Sequence, residues 1–203
     1  MNRILVVVDA VKGFISEGPF ANPRAVNKVD NIVSLCELFR CDNIVFLKDC
    51  HSDDAIEFNT YVPHCIKGSL ECELDDKLVE FEKLQNAISF KKNSTNGLMN
   101  REIRKYFEKL LINKDGYKNL EIHVCGFITE VCVMQFVLSL NSLINELNIN
   151  GVSITVHKNA IDTFDAPGHN ADDINEFVFN NFKQNGKLCK EKKDVLFIEF
   201  FDW

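Results

Sequence analysis

Five short apolar runs, none with a polar residue at every second position, set the tightest limit on what this chain can fold into. They fall at residues 4–8, 44–47, 87–90, 122–125 and 152–156, and each is dense in β-branched or aromatic side chains. A strand with one wet face alternates; a strand covered on both faces does not. Between the runs, apolar residues recur at helical spacing. Asn22-Pro23 reads as an N-cap and first helical residue, followed by Val26, Val29, Ile32, Val33, Cys36 and Phe39. The stretch after Cys132 repeats the pattern with Val133, Phe136, Val137, Leu140, Ile144 and Leu147. Further helices are expected over about 100–111 and about 171–182. This order predicts a three-layer α/β/α fold, with a mainly parallel sheet of five or six strands and right-handed crossovers.

No linker, repeat or low-complexity tract interrupts the 203 residues, so one domain over 1–203 is expected. Lys and Arg number 23 against 30 Asp and Glu, a net charge of −7 with no basic run. Nucleic acid and anionic membrane surfaces are therefore not expected partners. No apolar run approaches the roughly 18 residues of a membrane span. Met1-Asn2-Arg3 leads at once into an apolar run too short for a signal peptide, which points to the cytoplasm. Eight cysteines without an export signal or a Cys-x-x-Cys pair read as thiols, with Cys36, Cys41, Cys72 and Cys189 as small hydrophobes or surface groups. Residues 190–193 read as a charged loop. The apolar tail 195–201 is either an edge strand or a contact in a homo-oligomer, alternatives the sequence leaves open. No Gly-x-Gly-x-x-Gly follows the first run, which disfavours a dinucleotide-binding oxidoreductase.

Asp9 follows the first run, Asp49 the second, Lys92 the third and Cys132 the fourth. In a parallel sheet all four fall outside the carboxyl ends of neighbouring strands, where open α/β folds bind their ligands. Singly, each has an ordinary structural explanation; together at one edge they mark a site. Gly126-Phe127-Ile128-Thr129-Glu130-Val131-Cys132-Val133 resembles the nucleophile segment of the isochorismatase-like cysteine hydrolases. Asp9, with Phe14 five residues on, and Lys92 in Phe90-Lys91-Lys92 are similar to the remainder of that family's Asp–Lys–Cys triad. Strand alternation sends Lys91 to the opposite face from Lys92. Asp49-Cys50-His51 followed by Pro63-His64-Cys65-Ile66-Lys67-Gly68-Ser69 is similar to the metal-binding region of the nicotinamidases within the family. The resemblance covers roughly residues 4 to 165.

The resemblance implies an amidohydrolase acting on a small carboxamide through a Cys132 thioester, with the amides of Ile128 and Cys132 as oxyanion hole and a cis peptide between Phe127 and Ile128. It gives Asp9 the role of base and then acid. The positive end of a helix and Lys92 would stabilise the thiolate. One carboxylate and two imidazoles, Asp49, His51 and His64, leave coordination positions open and suit one divalent ion, zinc first, with iron or manganese as alternatives. Phe14 and Tyr61 are the expected aromatic walls for a flat substrate. An N-carbamoyl or ureido amide is the alternative substrate, and a non-catalytic binding module the third reading. The chain departs from the family in carrying Val11 where a polar residue is usual, Cys50 and Tyr61 in place of tryptophans, and Asn93 in place of the glycine after the lysine. His123, His157 and His169 have no ligand partners in sequence and receive no role.

Overall fold

β1 (Asn2–Val8) lies inside the sheet, and its alternate residues enter two separate cores in the computed structural model of the chain. Residues 2–112, 119–185, 191–192 and 195–199 are described. Three helices follow β1, α1 (Lys12–Ile15), α2 (Pro23–Val26) and α3 (Val29–Leu38), then β2 (Asn43–Asp49), α4 (Val79–Glu82) and β3 (Ala87–Lys92). α5 (Arg101–Ile112), β4 (Leu120–Phe127), α6 (Met134–Glu146), β5 (Val152–Asp162), α7 (Ala171–Asn185), β6 (Glu191–Lys192) and β7 (Val195–Glu199) complete the order.

The sheet order is β3-β2-β1-β4-β5-β7-β6. Its first five strands are parallel, as the apolar runs predict. Ile4, Val6 and Val8 pack with Ile103, Phe107 and Leu111 of α5 and with the inner faces of α6 and α7. Leu5 and Val7 pack on the other side with Val29, Ile32, Leu35 and Cys36 of α3. Burying both faces of β1 is what makes its sequence uniformly apolar. The tail adds β7 antiparallel to β5, which answers the edge-strand alternative. Glu191 and Lys192 pair with it as a two-residue strand where a loop is expected. Cys189, Lys190, Lys193, Phe200 and Phe201 lie outside the described residues.

Two local departures from the expected helices matter. Asn22 caps as predicted, its side chain accepting from the Arg24 amide, but the helix stops after one turn and restarts at Val29. The expected helix at Cys132 begins instead with a π turn over Thr129–Val133. There the amides of both Val131 and Val133 converge on the Ile128 carbonyl, at 3.2 and 3.1 Å. Such wide turns cluster at functional sites. No described helix is long and apolar enough to cross a membrane.

The chain winds outward from β1 to β3, then crosses to the other side of β1 to lay down β4. The order reverses between β1 and β4, so a crevice opens at their carboxyl ends. Gly126 makes this seam possible. It pairs with Val8 at φ +116°, and a Cβ there would lie 1.8 Å from the Val8 carbonyl oxygen. Only glycine fits that approach.

Candidate active site

Asp9 and Cys132 flank the crevice, Asp49 ends β2 and Lys92 ends β3. Asp9 sits in the left-handed region at φ +48°, uncommon for a residue with a side chain and a mark of local strain that the fold must hold. Lys92 is buried, whereas Lys91 on the opposite face of the pleat is exposed, as alternation requires. Its Nζ lies 2.8 Å from Asp9 Oδ2, 2.7 Å from Asp49 Oδ1 and 3.7 Å from Cys132 Sγ. Only a long side chain can reach from β3 past β2 to groups beyond β1. The Phe127–Ile128 peptide is cis, at the position the resemblance implies.

A buried ammonium must be paired. Lys92 has two carboxylate partners, and both raise its proton affinity well above the ordinary value although burial opposes them. Removing it would leave two uncompensated carboxylates, a loss of about 3–5 kcal/mol for broken pairs of this kind. The two acids fare differently. Burial drives Asp9 up to about 7, helped by Asp49 and opposed by Lys92. Lys92 meets Asp9 as an ion pair at 2.8 Å, and contacts with Lys92 and Cys132 oppose the effect of burial without overcoming it. Asp49 goes the other way. Burial pushes it up, but Lys92, His51 and His64 together hold it well below the carboxylate range. Burial also pushes the Cys132 thiol well above its ordinary value, against the pull of Lys92. The resting thiol is therefore protonated. Lys92 favours the thiolate, as sequence reasoning expects, but desolvation outweighs it, so the thiol needs a base such as Asp9 to take its proton.

Asp49, His51 and His64 bring one ligand atom each within 4.8 Å of one another. His51 Nε2 lies 2.9 Å and His64 Nε2 3.1 Å from the same oxygen, Asp49 Oδ2. The outer nitrogens fix what faces inward. His64 Nδ1 is 2.9 Å from the Val62 carbonyl, which can only accept. His51 Nδ1 is 3.2 Å from Asn93 Oδ1. With an outward acceptor for each Nδ1 proton, the two Nε2 atoms and a carboxylate oxygen can converge as ligands on one point. One carboxylate and two imidazoles so placed fit a divalent ion, which would compete with protons for the two Nε2 atoms. Glu57 adds a second carboxylate 3.8 Å from His51 Nε2, which the sequence pattern did not assign.

The crevice is a cavity of about 470 Å³ with Cys132, Asp49 and His64 in its lining. Phe14 and Tyr61 line it as expected. Phe20, which sequence reasoning missed, completes the aromatic wall, 6.2 Å from Phe14 and 4.7 Å edge-on from His64 between ring centroids. Val11 faces away, buried and bridged to Leu74, so the polar group missing there leaves no gap in the lining. His169 also lines the cavity, stacked on Phe164 with centroids 4.3 Å apart, and its Nε2 lies 3.0 Å from Glu130 Oε1. Glu130 is within the nucleophile segment, yet its partner is 39 residues on, beyond any local pattern.

Fold and site together define an α/β hydrolase built around a cysteine. The chain belongs to the isochorismatase family, whose domain model matches residues 3–176. Nicotinamidase 1 of Arabidopsis thaliana is 30% identical over 181 residues, covering 84% of this chain and 73% of that one. The crystal structure of a nicotinamidase from Bacillus subtilis superposes with a TM-score of 0.73 at 23% identity, over 90% of this chain and 95% of the other. A pyrazinamidase of Pyrococcus horikoshii, solved in complex with zinc, superposes at 0.68 with 18% identity, over 91% and 96%.

Proposed function

We propose that this single-domain chain is a metal-assisted cysteine amidohydrolase of the nicotinamidase type, converting nicotinamide and water to nicotinate and ammonia. The observation that carries the reading is the convergence of Lys92 on Asp9, Asp49 and Cys132 at a cavity whose adjoining wall holds two imidazoles aimed at one carboxylate. The Arabidopsis relative, a nicotinamidase by name, supports the substrate class.

Asp9, poised at about 7, takes the Cys132 proton as the sulfur attacks the carboxamide carbon. The C–S bond forms, and the carbonyl oxygen takes the negative charge against the amides of Ile128 and Cys132. The Cys132 amide lies between the Val131 and Val133 amides, which are turned to the Ile128 carbonyl. Asp9 returns its proton to the amine, the C–N bond breaks and ammonia leaves. Water, giving a proton to Asp9, then attacks the thioester, and the acid departs as the thiol is restored. Lys92 keeps its charge throughout and holds the two acids apart in proton affinity. Phe14, Phe20 and Tyr61 stack on the ring. Asp49, His51 and His64 would hold the ion, which when bound supplies an electrophilic anchor for a pyridine nitrogen. Zinc is the ion proposed, because the Pyrococcus relative carries it, and the cytoplasm the compartment.

The test is ammonia release from nicotinamide by the wild type and Cys132→Ala. The variant is expected to lose at least about 10³-fold in kcat. Equal rates would remove the thiol from the mechanism and overturn the proposal.

A further inference from the structure

Asn93 stands where the family resemblance leads one to expect glycine, directly after the triad lysine. Its side-chain oxygen reaches across from β3 to the loop after β2. There it accepts the Ser52 amide at 3.0 Å and meets His51 Nδ1 at 3.2 Å. A backbone N–H only donates, so the Asn93 atom at this point is the oxygen and not the amide nitrogen. That oxygen favours a proton on Nδ1, while Asp49 Oδ2, 2.9 Å from Nε2, competes for it on the other side of the ring. An ion that displaces the Nε2 proton would leave the Nε2 lone pair beside that of His64, with Asn93 holding the proton on Nδ1. For His64 the same work falls to a backbone carbonyl, that of Val62. The two imidazoles are thus fixed by different means, one by main chain and one by a side chain that a glycine could not supply.

We infer that Asn93 is a positioning residue that selects the Nδ1–H tautomer of His51 and so aims its Nε2 at the divalent ion. The inference rests on the metal centre proposed above. It adds a device belonging to this chain: the strand that delivers the lysine to the triad also orders a ligand of the ion. The device works through one acceptor atom, so aspartate, which keeps that atom, should replace asparagine, and alanine should not.

The experiment uses the full-length protein as wild type, Asn93→Ala, Asn93→Asp and His64→Ala. Zinc affinity is measured by competition with a chromophoric chelator. The His51 tautomer is read from long-range ¹H–¹⁵N ring couplings in metal-free and zinc-loaded protein, above the pH at which the ring titrates. Expected is a loss of about 10–100-fold in zinc affinity for Asn93→Ala. Alongside it, the metal-free His51 ring should shift toward the Nε2–H tautomer that Asp49 favours, and Asn93→Asp should restore both readouts to within about 3-fold of wild type. Zinc affinity unchanged in Asn93→Ala, or lost with the tautomer unmoved, would overturn the role of Asn93 while leaving the metal centre standing. A wild type that binds zinc no better than His64→Ala would overturn the metal centre itself, whatever the tautomer reports.

Discussion

Two pairs of histidines in this molecule meet at nearly the same separation, with ring centroids 4.7 Å apart and edge-on in His51–His64 and 5.1 Å apart and stacked in His123–His157. Both pairs are buried or nearly so, and burial is the largest influence on His51, His123 and His157 alike. Yet the outcomes are opposite. His51 is raised above its ordinary value, because Asp49 in contact with Nε2, with Glu57 nearby, outweighs desolvation. His123 falls to about 4 through burial and the neighbouring Arg3, and His157 to about 3 through burial and His123 itself. The lesson is that burial alone does not decide the charge of an imidazole: Asp49 at 2.9 Å, with Glu57 beyond it, reverses the effect of burial on His51, whereas Glu121 at 3.5 Å from His123 Nε2 does not reverse it on His123.

The largest expected effect tests the sheet pair. With both titrations depressed in the folded state, the unfolded chain binds the extra protons. The contribution of this pair is therefore complete above about 6.5 and is lost as pH falls through about 4 and about 3. Going from pH 7 to pH 4 should remove on the order of 5 kcal/mol through these two residues. His157→Phe, which keeps an aromatic ring on β5, should cut that acid-induced loss by roughly half. Urea midpoints at the two pH values measure it, and an acid loss as steep in the variant as in the wild type would show that the pair is not its source.

A smaller effect tests the other pair. Zinc at about 100 times its dissociation constant should stabilise the protein by about 2.7 kcal/mol, and a chelator should reverse this. Because ion and protons compete for the same imidazole nitrogens, the gain should shrink as pH is lowered. Thermal scans with zinc and with chelator at two pH values read it directly; a zinc-induced shift that grows toward acid would reverse the assignment. The smallest effect lies in Arg3→Gln. Removing the cation that depresses His123 should raise its titration by a fraction of a unit and change stability by less than about 1 kcal/mol. The ring-proton NMR titration of His123 shows whether it moves, and in which direction.

The parallel sheet was legible because residues 4–8 carry no alternation, and a strand covered on both faces leaves no other pattern. Asp49 and His51 were legible as a pair two residues apart at a strand end, His64 only through the family resemblance, and Asp9, Lys92 and Cys132 from their places at strand ends. What stayed hidden depends on contacts across the fold. The periodicity of residues 23–39 does not signal the break at Asn27 and Lys28: Val29, Ile32, Cys36 and Phe39 face the core as expected, while Val26, just before the break, is half exposed. The π turn is set by two amides sharing the Ile128 carbonyl, which no residue identity reports. Phe20 reaches the cavity from a loop without periodicity, and the approach of His169 to Glu130 is made only once the segment after β5 folds back. How strongly burial pushes up the Cys132 thiol was hidden because desolvation is a property of the finished interior.

The seam at Gly126 has a consequence for the order in which the site comes into being. The three residues suited to gripping an ion, and the ammonium beside them, are all contributed by residue 92. The sulfur arrives 40 residues later, on the turn that follows β4, a strand that must slot against β1 with its main chain pressed close to Val8. A chain emerging from the ribosome therefore presents the residues of its grip before its weapon. Hydrolytic competence then reports that the two halves of the sheet have closed on each other.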